Sequence, residues 1–184
     1  MNESTQFQPI FEGKRVRLAS PEPEDDVIVA SWTRDDVYMR NLDDDPVVPL
    51  SVDRLRQRPQ HGDYGFHIRT LDDDTLIGFV ALFNISGRNQ TAEMAIGIGN
   101  PEYRGKGYGS DALRLILRYA FDELNLHHLG LTVMSYNHAA MMAYERVGFV
   151  KEGVQRQVIA RSGQRHDLVL YGILREEWLA TQTT

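Results

Sequence analysis

Residues 97–109 read Gly-Ile-Gly-Asn-Pro-Glu-Tyr-Arg-Gly-Lys-Gly-Tyr-Gly, closing one apolar run and opening an amphipathic one. Gly105, Gly107 and Gly109 alternate with larger residues. A backbone without Cβ atoms can turn sharply and aim successive N–H groups at an anion. A helix beginning at Ser110 adds its own free N–H groups and the positive end of its dipole. A strand, a tight loop and a helix N-terminus in succession commit the chain to a mixed α/β arrangement. Without a ligand, the same pattern is simply a strand-to-helix turn.

Two phosphate loops fail on spacing. A Walker loop needs four residues before its Gly-Lys pair and a Ser or Thr after it; here 100–104 intervene after Gly99, and Gly107 follows Lys106. A dinucleotide fingerprint needs a small Gly or Ala three residues after Gly107, where Ser110 stands, and an acidic residue on a second parallel strand.

The flanking chain supplies the strands and helices. Residues 14–20 alternate as a first strand, stopped by Pro21, and 22–40 open on Glu22, Glu24, Asp25 and Asp26 as a short helix. Residues 41–50, with Asp43, Asp44 and Asp45, read as loop, and 51–57 as another short helix capped by Ser51. Residues 65–71 and 76–85 form a hairpin about Asp72, Asp73 and Asp74, and 91–99 a third antiparallel strand. Leu113, Ile116, Leu117, Ala120, Phe121 and Leu124 keep helical spacing over 110–124, and 128–134 reads as a strand. A helix over 137–147 stops at Gly148, and strands at 149–159 and 165–174 pair through 161–164. The expected fold is mixed α/β and one domain over 1–184, with one mostly antiparallel sheet of about seven strands and about four helices.

Arg104-x-x-Gly107-x-Gly109 between strand and helix is followed downstream by Asn137-x-x-Ala140-x-x-x-Tyr144-x-x-x-Gly148-Phe149. The two motifs together resemble the signatures of the GNAT superfamily of acetyl-CoA-dependent N-acetyltransferases. The closing stretch, Gly163-Gln164-Arg165-His166-Asp167 and Arg175-Glu176-Glu177-Trp178, resembles the branch holding RimJ/RimL-type and spermidine acetyltransferases.

The resemblance implies a sheet splayed between the fourth and fifth strands, with the pantetheine arm of acetyl-CoA pairing like a strand near Ile98 and Gly99. Backbone N–H groups of Arg104, Gly105, Lys106, Gly107, Tyr108 and Gly109, with Ser110, would hold the pyrophosphate. Asn137 and Ala140 would meet the arm, although Asn137 is equally a helix cap. A backbone N–H near Ile98 would stabilise the tetrahedral intermediate, and Tyr144 would protonate the departing thiolate. A free phenol, with a pKa near 10, is suited to that task; the bland alternative is a core aromatic.

The acceptor amine is almost wholly protonated at neutral pH and must lose a proton before it attacks. Glu93 stands where related enzymes keep a catalytic or water-ordering carboxylate. His67 and His138 are further candidates, each with a structural role as its alternative. His127 and His128 would face opposite sides of a strand, and no metal-ligand set is expected.

Composition narrows the chemistry. The chain has no cysteine, which excludes disulfides and an acyl-cysteine intermediate. A net charge of −6 disfavours nucleic acid and favours a cationic acceptor: a small amine, a polyamine or a peptide N-terminus. No apolar run is long enough for a membrane span, so the expectation is a cytoplasmic enzyme with no membrane partner, and a homodimer is compatible with it. A catalytically silent domain that senses acyl-CoA is the competing reading.

Overall fold

A computed structural model describes residues 9–57 and 63–182 of the chain. Residues 1–8, which precede the first expected strand, residues 58–62, between the short helix expected over 51–57 and the strand expected over 65–71, and residues 183–184 lie outside the described residues. The elements run β1 (Val16–Ala19), α1 (Asp26–Trp32), α2 (Asp36–Leu42), α3 (Val52–Gln57), β2 (Tyr64–Thr70), β3 (Leu76–Ser86) and β4 (Thr91–Ile98). They continue as α4 (Tyr108–Arg118), β5 (His128–Met134), α5 (His138–Val147), β6 (Val150–Arg161), β7 (Gln164–Leu174) and α6 (Arg175–Gln182).

The seven strands form one sheet in the order β1-β2-β3-β4-β5-β7-β6. Only β4 and β5 are parallel, and they pair at Thr91–Glu93 with His128–Gly130 alone. Beyond Glu93 the strands part, so β4 from Met94 to Ile98 keeps β3 on one side and loses its neighbour on the other. The expected splay is therefore present, in the expected place.

Alternation along β4 assigns its two faces. The ideal Cβ of Gly109 in α4 would come 3.6 Å from Ile98, whereas Gly97 is overlain by Tyr38 and Leu42. Even-numbered residues thus face α4, and Glu93, Ala95 and Gly97 face α1 and α2. On the α4 side Leu113, Ile116, Leu117 and Phe121 join Val147 of α5 and Trp178 of α6 in the larger apolar core. A smaller cluster of Trp32, Tyr38, Met39 and Leu76 seats α1 and α2 on the opposite face.

The described residues form six α-helices, where about four were expected. The acidic segment 22–40 divides, because Asp35 is extended (φ −82°, ψ 98°) and its Oδ1 accepts from Tyr38 N at 3.0 Å, starting a new helix. The helix expected over 110–124 begins earlier, at Tyr108, and ends in a π-turn over Tyr119–Glu123, where Leu124 N donates to Tyr119 O at 3.1 Å. The last helix, α6, has weak apolar periodicity; Glu177 secures its start by accepting from Leu174 N at 2.8 Å. Gly148 ends α5 at φ +108°, as its place in the sequence requires.

Candidate active site

A cavity of about 910 Å³ opens at the splay. Met94, Ala95 and Ile96 line one wall and Thr132, Val133 and Met134 the other, with Asn137 and, from α5, Ala140 and Tyr144 lining it too. Trp32, Tyr38 and Leu42 close it from the α1–α2 side, and His67 and Phe79 extend it across the sheet. The motif residues of α5 and the open edge of β4 therefore meet in one space.

The glycine loop has the geometry of an anion cradle at two of its three glycines. Gly105 (φ +70°) and Gly107 (φ +89°) are left-handed, and nothing lies within 4 Å of where their Cβ atoms would be. Gly107 starts α4 without any side-chain cap. The N–H groups of Tyr108, Gly109 and Ser110 belong to the first turn, which has no helical carbonyl to bond. Gly109 differs from its neighbours: it is helical, and a Cβ there would make ordinary contact with Ile98. Ser110 is buried inside the first turn rather than at the helix start. Lys106 is exposed, its carbonyl accepting from Arg15 Nη1 at 3.1 Å, and the Arg15 guanidinium lies 5.7 Å from the Tyr108 ring centroid.

The Arg104 side chain is engaged within the protein. Its guanidinium donates to Ile98 O (2.8 Å), Gly99 O (2.6 Å) and Asp35 Oδ2 (2.8 Å), and its backbone N–H donates to Pro101 O (3.3 Å). It also lies 5.0 Å from the Tyr38 ring centroid. Those bonds use one lone pair each of the Ile98 and Gly99 carbonyls, and lower on the open edge of β4 Met94, Ala95 and Ile96 line the cavity. Gly99 has a packing reason of its own, since a Cβ there would fall 2.0 Å from the Trp32 ring.

Asn137 performs the capping half of its expected role. Its Oδ1 accepts from Ala140 N (3.2 Å) while Nδ2 donates to Asn41 O (3.2 Å). The end of α2 and the loop after it are tied down further by Tyr136 Oη donating to Arg40 O (2.5 Å) and Arg161 Nη2 donating to Asp43 O (2.7 Å).

Tyr144 packs edge-on to Phe149 at 5.8 Å and lines the cavity. Its hydroxyl has no hydrogen-bond partner among the described residues, and burial alone pushes its pKa up to about 12. The phenol thus stays protonated across the neutral range.

Glu93 is the last residue of β4 paired with β5, at the vertex of the splay. It is exposed, accepts from Asn84 Nδ2 at 3.2 Å and does not itself line the cavity. His138 is exposed, His127 is exposed, and His128 pairs with Glu152 at 2.8 Å. His67 is buried against Asp25, with Nδ1 2.7 Å from Oδ2. Asp26, Asp43, Asp44 and Asp63 add carboxylates to the cavity lining. Among the described residues, the one group of carboxylates or imidazoles close enough to share an ion is Asp43, Asp44 and Asp45, each offering an oxygen within 4.8 Å of the others.

Periodicity alone did not single out Tyr38, whose buried phenol lies against Gly97, or the Arg104–Asp35 pair. The usable signal was local: Asp35 stands three residues before Tyr38, the spacing of a capping side chain.

Residues 15–150 match the acetyltransferase (GNAT) domain family. The chain belongs to the GNAT acetyltransferase family. It is 31% identical over 170 residues to the "SPbeta prophage-derived uncharacterized N-acetyltransferase YokL" of Bacillus subtilis, covering 90% of this chain and 93% of that one. It is 34% identical over 137 residues to "Putative ribosomal N-acetyltransferase YdaF" of the same organism, covering 71% and 74%. Its fold superposes on the crystal structure of spermidine N-acetyltransferase from Vibrio cholerae in complex with CoA and spermine, with TM-score 0.79 and 27% identity, over 89% of this chain and 98% of that one. The GNAT family uses acetyl-CoA, and this chain is an acetyltransferase with the fold its sequence indicated.

Proposed function

We propose that this GNAT enzyme is a cytoplasmic N-acetyltransferase of the RimJ/RimL and spermidine acetyltransferase-like branch, moving an acetyl group from acetyl-CoA to a cationic primary amine. The observation that carries the reading is the pairing of an unpartnered, protonated Tyr144 hydroxyl with the open edge of β4 in one cavity. The left-handed Gly105 and Gly107 and the uncapped first turn of α4 fit a pyrophosphate, and the β4 edge fits an extended amide chain. Acetyl-CoA supplies the activated acyl group when bound. N–H groups on the open edge of β4 are available to negative charge developing on the acyl oxygen. Tyr144 gives its proton to the leaving sulfur. Glu93, solvated at the vertex, orders water between the cavity and bulk solvent. With no cysteine in the chain and both substrates held together, the amine attacks directly.

The acceptor class follows from charge. Asp26, Asp43, Asp44 and Asp63 line the cavity of a chain whose net charge is −6, which draws cations and repels anions. The names of its relatives, which include a ribosomal and a spermidine acetyltransferase, support a polyamine or a basic peptide N-terminus. Incubating the protein with acetyl-CoA and a panel of polyamines, peptides with free N-termini, aminoglycosides and amino acids tests this. Thiol release should be fastest with the polycationic amines; release that is equally fast with anionic amino acids would refute the acceptor class.

A further inference from the structure

His67 lies on β2, paired across the sheet with Phe79 of β3, which in turn pairs with Gly97 of β4. It therefore shares the face that α1 and α2 cover and lines the cavity from that side. Its Nδ1 is 2.7 Å from Asp25 Oδ2, and the other oxygen of Asp25 accepts from the Arg69 guanidinium. Glu22 N also donates to Asp25, at 3.3 Å. Burial opposes the ionisation of Asp25, but the hydrogen bonds from His67 and Arg69 prevail and hold it below the usual carboxylate range.

An ionised carboxylate can only accept, so it fixes the proton of the neutral ring on Nδ1 and leaves the lone pair on Nε2. The His67 ring has no second hydrogen bond among the described residues. A histidine kept for packing has no need of a buried carboxylate and a cation ranked behind it. The arrangement orients an imidazole and fixes its tautomer.

We propose that His67 is the group that takes the proton from the acceptor's ammonium, with Asp25 and Arg69 as its positioning residues. The proposal rests on the acetyltransferase reading above. Two strand spacings, roughly 10 Å, separate the His67 backbone from β4, so the proton crosses through cavity water or as the amine passes. The ammonium gives one proton to Nε2, and the imidazolium, held by Asp25, releases it to solvent. The neutral amine then forms the C–N bond as the C–S bond breaks. Tyr144 protonates the sulfur and is restored by the second proton, which the nitrogen loses on becoming an amide. Of the other charged residues lining the same cavity, Asp26 pairs with Arg56 at 2.6 Å and Asp63 accepts from Ile85 N at 3.3 Å, while Asp43 and Asp44 stand on the loop after α2; Arg69 also donates to Asp74 O at 2.9 Å. The sheet neighbours Ala19 and Phe79 carry no charge.

The test is kcat/KM for the acceptor against pH in the wild type, His67→Gln, His67→Ala and Glu93→Gln, with acetyl-CoA affinity and circular dichroism measured alongside. His67→Gln should lose roughly 10²-fold at neutral pH and the acid-side inflection with it, leaving acetyl-CoA affinity unchanged. Added imidazole should restore part of the rate to His67→Ala. Glu93→Gln should lower the rate while keeping the inflection. A folded His67→Gln variant with the wild-type profile, or an inflection lost in Glu93→Gln instead, overturns the proposal. Nitrogen NMR of the intact wild type gives a check that no folding defect can confuse: Nδ1 should carry the proton at neutral pH, and a proton on Nε2 instead would also overturn it. Absence of thiol release from the wild type with every amine would count against the acetyltransferase reading rather than against His67, whose tautomer the NMR still decides.

Discussion

Arg104 Nη1 donates to Asp35 Oδ2 at 2.8 Å, which joins the residue opening the glycine loop to the residue capping α2. Arg104 belongs to the loop expected to hold the pyrophosphate, and Asp35 starts the helix whose Tyr38 and Leu42 close the cavity. The same guanidinium binds the carbonyls of Ile98 and Gly99, so the end of β4, the glycine loop and α2 are fixed to one another.

Replacing either partner should have unequal effects. Asp35→Asn keeps a good helix cap and loses only a partly exposed ion pair, which predicts a stability loss of at most about 1 kcal/mol. Arg104→Leu strands two carbonyls and should cost more, about 1–3 kcal/mol. Arg104→Lys should fall between them, because an ammonium cannot reproduce the planar fork. Denaturant titrations of the three variants give the order directly.

The pH dependence of stability follows from Asp35 and Asp25. The N–H of Tyr38 holds the Asp35 carboxyl below its ordinary value despite burial, with Arg104 adding to the effect; Asp25 is depressed by His67 and Arg69 against its burial. A depressed folded pKa contributes stability that is complete above the unfolded value, near 3.9, and is lost as pH falls through the folded one. Acid unfolding should therefore steepen below about pH 4. Asp35→Asn should flatten that limb and leave stability at neutral pH and above nearly parallel to wild type.

Gly107 and Gly109 should respond differently. Gly107→Val forces a β-branched residue into φ +89° and should abolish CoA binding, as read by titration calorimetry. Gly109→Ala meets only ordinary contact with Ile98, so the variant should fold normally and lose affinity only if its methyl meets the phosphates. Unchanged affinity in a folded Gly107→Val protein would remove the cradle from the account.

Much of this arrangement was legible in the chain. The Arg104-x-x-Gly107-x-Gly109 and Asn137 to Phe149 motifs placed the loop and the helix ends, because these depend on local backbone geometry that particular residues impose, whereas the splay and the place of Tyr144 came with the family resemblance the motifs carry. Tertiary partnerships were not legible. The Arg104 side chain is committed to β4 and α2, Gly99 is small because Trp32 lies over it, and His67 meets Asp25 across 42 residues. None of these has a periodic signature. The division of residues 22–40 at Asp35 was within reach, since an Asp three residues before an apolar helical position is a cap signal.

Tyr144→Phe removes the phenolic proton and keeps the ring that packs on Phe149. We expect kcat to fall roughly 10²-fold or more, with acetyl-CoA affinity and melting temperature little changed. A phenol near pKa 12 does not titrate in the neutral range, so the variant should keep the shape of the wild-type pH profile.

Asp43, Asp44 and Asp45 bring carboxylate oxygens within 4.8 Å of one another beside the cavity. Changing all three to Asn should raise KM for a polyamine or basic peptide and weaken the salt dependence of kcat/KM, with kcat unaffected. Exposed charges are screened within about 10 Å at 0.1 M salt, so steering must show in that dependence. Identical behaviour of variant and wild type across ionic strength would reduce the cluster to solvated surface.

The most direct measurement is a product balance on the wild-type protein: thiol released and acetylated amine formed, counted together by mass spectrometry, with the mass of the intact enzyme followed during turnover. The account predicts one acetylated amine for each CoA released and an enzyme that never gains an acetyl group. Tight CoA binding with no acetylated product from any amine, or an acetylated enzyme accumulating before product, would contradict it.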